Sequence, residues 1–214
     1  MDARAWDERY AASELIWSAG PNQFVESELA GLRPGRALDL AAGEGRNALW
    51  LAEQGWDVTA VDFSLAGLDK GRAAQAQRPG GRDLHVDWVH ADVLQYDAGP
   101  VGYDLSVTAY LQLPPDDLHR AVRVGFGALA VGGTYLLVAH DSTNLTEGTG
   151  GPQDPSVLYT AEDVLEALDG ERFEVERADR VARVVAASPD PSHGNAGEPD
   201  RTAWDALVRL VRTA

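Results

Sequence analysis

Leu38-Asp-Leu-Ala-Ala-Gly-Glu-Gly-Arg-Asn47 is an apolar run that carries Asp39 and then breaks into a glycine turn through Gly43 and Gly45. The following segment, Asn47 to Gln54, has helical character, and a second apolar run, Val58-Thr-Ala-Val-Asp62, ends on an acid. A strand, a glycine turn, a helix and a strand closing on a carboxylate form the half-unit that grips an adenosine-bearing cofactor. The turn glycines let the backbone approach a ligand with no Cβ in the way. Asp62 stands seventeen residues beyond Gly45, where a carboxylate can accept hydrogen bonds from ribose hydroxyls.

The same alternation continues outward from this unit. On the N-terminal side, Trp6, Tyr10, Ile16 and Trp17 fall at near-helical spacing, Gly20-Pro21 breaks that segment, and Pro21 suits the first turn of a helix over Asn22 to Leu32. Strands are expected at Ala37 to Ala41, Trp56 to Val61, Leu84 to His90, Tyr103 to Thr108 and Thr134 to Ala139. Between them lie a helix capped by Ser64 and running to Gln77, and another from Pro115 to about Leu129, closed by Gly132-Gly133. Strands and helices alternating in this way predict a parallel, doubly wound α/β sheet. Beyond it, Asp141 to Leu158 reads as a long loop, Thr160 opens a short helix, and Phe173 to Val185 alternates like a strand. Ser188 to Pro199 reads as a further loop, and Thr202 to Val211 is compatible with a helix or a returning strand.

Composition narrows the classes. The 214 residues suffice for one domain with a full core; the expectation is a single domain over 1–214 with an N-terminal helical cap at about 1–32. A formal net charge of −16 argues against a nucleic-acid partner, since such binding leans on clustered Lys and Arg. The chain has no cysteine and no apolar run of membrane-spanning length, and its N-terminus lacks the pattern of a secretory leader. A cytoplasmic location, with no membrane partner, is expected. His90 and Asp92 alone do not make a metal site, and no metal is expected.

Gly43-Glu-Gly45-Arg-Asn-Ala48 also satisfies the dinucleotide pattern G-x-G-x-x-A. Asp39, inside the strand before the turn, weighs against a nicotinamide dinucleotide because a carboxylate repels a pyrophosphate there and attracts a cation. With the residues Leu38 to Asn47, Val61-Asp62-Phe63-Ser64, His90-Ala-Asp92-Val93 and Tyr103-Asp-Leu-Ser-Val107 in this order, the chain resembles the class I S-adenosylmethionine-dependent methyltransferases. The Trp6-Asp-Glu-Arg-Tyr10 segment and the stretch from His140 to Thr160 resemble the branch containing thiopurine and tellurite-resistance methyltransferases. The resemblance implies a single seven-stranded Rossmann-like sheet of order 3-2-1-4-5-7-6 with the last strand antiparallel, which favours a strand for the final segment.

It also implies residue roles. Asp39, Ala41, Gly43, Gly45, Arg46 and Asn47 would hold the methionine end of S-adenosyl-L-methionine, and Asp62 the ribose. Phe63, Asp92 and Val93 would hold the adenine, Thr108 would lie under the methionine, and Trp6 and Tyr10 would fold over the cofactor. Trp17, Tyr110, Gln112 and Asp141 are candidates for the acceptor rim. Methyl transfer from a sulfonium is an in-line displacement, and a base is needed only where the acceptor still holds a proton. His140, at the ligand edge of the fifth strand, is the candidate base; alternatively it serves as a neutral histidine that holds the loop. The expectation is a methyltransferase acting on a small molecule. Rivals are an NAD(P)-dependent oxidoreductase and a non-catalytic cofactor-binding protein.

Overall fold

The computed structural model describes residues 6–8, 10, 20–99, 102–185 and 200–214. Its sheet is built from β1 (Arg36–Leu40), β2 (Asp57–Asp62), β3 (Val86–His90), β4 (Tyr103–Ala109), β5 (Leu129–His140), β6 (Phe173–Val185) and β7 (Arg201–Arg212). The strands lie in the order β3-β2-β1-β4-β5-β7-β6. Pairing is parallel from β3 through β5, and β7 runs antiparallel to both β5 and β6. The final segment is therefore a strand. The sheet order reverses direction at the β1/β4 boundary, so the crevice outside the carboxyl ends of these two strands is the ligand position of the fold.

Helices cover both faces. On one side, α1 (Gln23–Leu29) and α2 (Arg46–Glu53) pack Val25, Leu29 and Leu51 against Leu105, Val107, Leu136 and Val138. On the other, α4 (Pro115–Gly127), which follows α3 (Leu65–Gln77) in the chain, and α6 (Ala161–Ala167) enclose Tyr135, Leu137, Val208 and Leu210. Adjacent β5 residues thus enter opposite cores, as the two-residue period of a strand demands. Every residue from Thr134 to Ala139 is buried, because β5 is covered on both faces.

Several boundaries differ from the sequence expectation, each for a local reason. Asn22 is the N-cap of α1, its side chain accepting from the Phe24 and Val25 amides, so Pro21 precedes the helix. That helix stops at Leu29, short of Gly31, whose φ is +88°. The fifth strand starts at Leu129, not Thr134: Leu129 pairs with Tyr103, and the register then shifts so that Thr134 pairs with Leu105. Gly132, with φ +87°, takes up the irregularity inside the strand instead of closing a helix.

The stretch after β5 is not structureless. It holds α5 (Asn144–Glu147), a 3-10 turn at Pro155–Val157, and a parallel bridge from Asp141 to Tyr159. Ser64 does cap α3, accepting from the Gly67 amide, and Thr160 with Asp163 forms a reciprocal capping box for α6. The expected loop from Ser188 to Pro199 lies outside the described residues, as does most of the N-terminal segment; within it residues 6–8 and 10 are helical.

Candidate active site

Asp39 is 1% exposed in β1, and its Oδ2 has no hydrogen-bond partner among the described residues. Burial pushes its carboxyl up to about 7, with Asp62 adding to the rise and the Ala48 amide and Arg46 opposing it. Beyond β1 the chain passes through three left-handed residues, Ala41, Gly43 and Gly45, at φ +59°, +57° and +74°. Ala41 is a non-glycine residue in this region. Its strain sits at the ligand crevice, where such backbone is commonly kept for function. Gly45 has a second constraint, because a Cβ there would stand 2.2 Å from the Trp88 ring.

Arg46 opens α2, and burial lowers its pKa against the raising effects of Tyr110 and Asp39. Asn47 is buried and its Oδ1 accepts from the Asn22 amide at 2.9 Å. Asp62 ends β2 and accepts from the Gly43 amide through Oδ2 and from the Ser64 amide through Oδ1, both at 2.8 Å. Each oxygen retains capacity for one further donor. Burial raises the Asp62 pKa, partly offset by these two amides. Glu44, inside the turn, is buried and paired with Lys70 at 3.1 Å. That pair gives the chain's single lysine a structural place at the glycine turn.

The described part of the N-terminal segment docks on this region. Asp7 Oδ1 accepts from Ser64 Oγ at 2.5 Å and from the Ala66 amide at 3.2 Å, adding a carboxylate to the start of α3. Tyr10 is 4% exposed, and a Cβ on Gly43 would stand 2.5 Å from its hydroxyl. Trp6 lies beside it, ring centroids 5.5 Å apart.

On the other side of the crevice, Tyr110 follows β4 at φ +57°. Its hydroxyl donates to Asp205 Oδ2 at 2.9 Å, and burial pushes its pKa up while the nearby Asn22 side chain and Arg183 oppose the rise. Arg183 Nε donates to the same Oδ2 at 2.7 Å. His140 places Nδ1 3.3 Å from Asp205 Oδ1 and its ring 4.8 Å from that of Tyr110. Asp205 is fully buried; burial alone would raise its pKa, but the His140 and Arg183 interactions outweigh it and hold the carboxyl low. A chain of contacts thus runs from Asn47 at the glycine turn through Asn22 and Tyr110 to Asp205.

Other expected site residues are committed elsewhere. Asp92 accepts from the Leu94 amide and from Gln95 Nε2, as a turn acid does; Val93 beside it is buried. The Phe63 ring is half-buried, and its carbonyl lies 2.9 Å from His90 Nε2. Thr108 Oγ1 accepts from the buried Tyr135 hydroxyl. Gln112 spends both ends of its amide on the loop, accepting from the His140 amide and donating to the Val157 carbonyl. Asp141 holds the Thr143 amide and hydroxyl. Trp17 lies outside the described residues. Asp205 and Arg183 were not anticipated. The only signal was an acid inside the apolar run Trp204-Asp-Ala-Leu-Val208.

Residues 37–133 match the family model described as a methyltransferase domain. This stretch of the chain is similar to a methyltransferase domain. A demethylmenaquinone methyltransferase of Clavibacter sepedonicus is 31% identical over an alignment of 127 positions that covers 54% of this chain and 50% of the relative. The chain spans about half the length of that curated relative. Among solved structures, TehB of Haemophilus influenzae superposes with a TM-score of 0.69 at 19% identity, covering 90% of this chain and 63% of TehB. The N-methyltransferase NodS of Bradyrhizobium japonicum, solved with S-adenosyl-L-homocysteine, gives 0.67 at 16% identity, covering 99% and 98%. At these identities the likeness concerns the fold alone.

Proposed function

We propose that the domain binds S-adenosyl-L-methionine and transfers its methyl group to a small-molecule acceptor by in-line displacement. The observation that carries this reading is the buried Asp39 carboxyl, with one oxygen unbonded, beside a left-handed glycine turn. Such a group favours a cation next to it and disfavours a pyrophosphate. The residues fit the cofactor on chemical grounds. Asp39 suits the ammonium of its methionine end, and Asp62, which keeps acceptor capacity on both oxygens, suits the ribose diol. The faces of Trp6 and Tyr10 suit a sulfonium. Ala41, Arg46, Asn47, Phe63, Asp92, Val93 and Thr108 are the remaining proposed contacts.

When bound, the cofactor supplies an electrophilic methyl carbon on sulfur. The protein's own part is to bring the acceptor into line with that carbon and to exclude water. Tyr110 and His140, at the ends of β4 and β5, are proposed on the acceptor rim, with Gln112 and Asp141 fixing the loop that borders it and Trp17 proposed on the same rim. The N-terminal segment, anchored by Asp7 and Tyr10, acts as the cap of one domain. A small acceptor agrees with the net charge of −16 and with the small-molecule substrate in the name of the Clavibacter relative. No described helix is long and apolar enough to cross a membrane, and the absence of cysteine agrees with action in the cytoplasm. An acceptor screen over thiols, metalloid oxyanions, phenols and amines, read as formation of S-adenosyl-L-homocysteine, tests the reading. Cofactor binding without turnover on any class would favour a sensing protein instead.

A further inference from the structure

The antiparallel register sets His140, the last residue of β5, opposite Asp205 of β7. Their facing atoms, Nδ1 and Oδ1, are both buried and 3.3 Å apart, and neither has an aligned hydrogen-bond partner among the described residues. The other carboxylate oxygen is already taken by Arg183 and Tyr110. An ionised carboxylate only accepts, so a proton on Nδ1 is the arrangement that satisfies both atoms after a small turn of the ring. That leaves the lone pair on Nε2.

The ring is also held from its sides. A Cβ on Gly151 would stand 2.9 Å from Cγ and Cδ2 of His140, so the loop backbone lies directly against it, and the Tyr110 ring is 4.8 Å away. Holding the loop falls to other groups. Asn144 Nδ2 donates to the Gly150 carbonyl and its Oδ1 accepts from the Trp204 amide, while Gln112 and Asp141 make the bonds given above. The imidazole is therefore a positioned group that packs on the loop but makes none of the hydrogen bonds that fix it.

We propose that Asp205 orients His140 as a general base, and that the acceptor is a hydroxyl group which still carries its proton. This rests on the methyl-transfer reading. The hydroxyl proton passes to His140 Nε2 while an oxygen lone pair forms the bond to the methyl carbon. The carbon–sulfur bond breaks with its electron pair staying on sulfur, and the positive charge ends on the imidazolium, where Asp205 offsets it. His140 is the catalytic residue and Asp205 a positioning residue. The charged and titratable groups facing the pair are Arg183 from β6 and Tyr110 after β4, and Arg46 of α2 acts in turn on Tyr110 and Arg183.

The test has two arms. In the first, ring-nitrogen NMR of the protein loaded with S-adenosyl-L-homocysteine, at mildly alkaline pH, reads the tautomer of His140, assigned by loss of the signal in His140→Gln. The proton is expected on Nδ1, with Asp205→Asn moving population toward Nε2. A proton on Nε2 in the wild type, or no change in the variant, overturns the proposal. In the second arm, phenol and thiophenol are compared as acceptors. His140→Gln is expected to cut phenol turnover by about 100-fold or more and at least tenfold further than thiophenol turnover. Equal losses, or a wild type that methylates thiophenol alone, overturn it. Failure of the wild type to bind S-adenosyl-L-homocysteine instead removes the methyl-transfer reading beneath it.

Discussion

Asp39→Asn removes a buried charge while keeping the shape of the side chain and an oxygen for the Ala48 amide. Burial lifts the wild-type carboxyl from 3.8 to about 7, which at about 1.4 kcal/mol per tenfold change in ionisation corresponds to about 4 kcal/mol. The sign follows from linkage. Below pH 3.8 the carboxyl is protonated in both folded and unfolded chains, and the wild type bears no ionisation penalty. Between 3.8 and about 7 the unfolded chain ionises while the folded one keeps its proton, so wild-type stability falls as pH rises. Above about 7 the full cost is present. The variant lacks this slope, so its stability relative to the wild type should rise by about 4 kcal/mol across that window and then level off. Urea denaturation at closely spaced pH values reads the difference directly. A difference between the two proteins that does not change across the window would refute the reasoning, as would one that moves in favour of the wild type as pH rises. The gain in stability should come with a loss of function: without the carboxylate, affinity for S-adenosyl-L-methionine should fall by about 1.5 to 3 kcal/mol, the range of a hydrogen bond to a charged group.

Asp62→Ala should weaken cofactor binding by about 1.5 to 3 kcal/mol through lost charged hydrogen bonds to the ribose. Calorimetry giving wild-type affinity would remove Asp62 from the site. Gly45→Ala must fit a Cβ 2.2 Å from Trp88 at φ +74°, so a stability loss of about 2 to 4 kcal/mol is expected from overpacking and left-handed strain. Thermal unfolding unchanged in that variant would mean that Trp88 and the turn relax freely.

The half-unit around Gly43 and Gly45 was legible because most of its parts carry a local mark: an apolar run, a glycine at two of the three left-handed positions, and an acid where the second strand ends. The doubly wound class followed from the same alternation down the chain, whereas the strand at Arg201–Arg212 came from the family resemblance. Gly132-Gly133 misled because a glycine pair signals a turn equally well when it is an irregularity inside a strand. What the sequence concealed were contacts made by topology. Asp205 lies 65 residues beyond His140, and only the β5–β7 register makes them neighbours. Gln112 and Asp141 stand at strand ends as expected. Their polar atoms go to loop bonds because a backbone turning beside a buried sheet edge must find partners somewhere.

The account turns on which ligand the bend after β1 accepts, and thermal unfolding of the wild-type chain titrated in parallel with S-adenosyl-L-methionine and with a nicotinamide dinucleotide measures that most directly. The melting temperature should climb with the sulfonium compound and stay level with the dinucleotide. A rise with the dinucleotide and none with the sulfonium compound would contradict it.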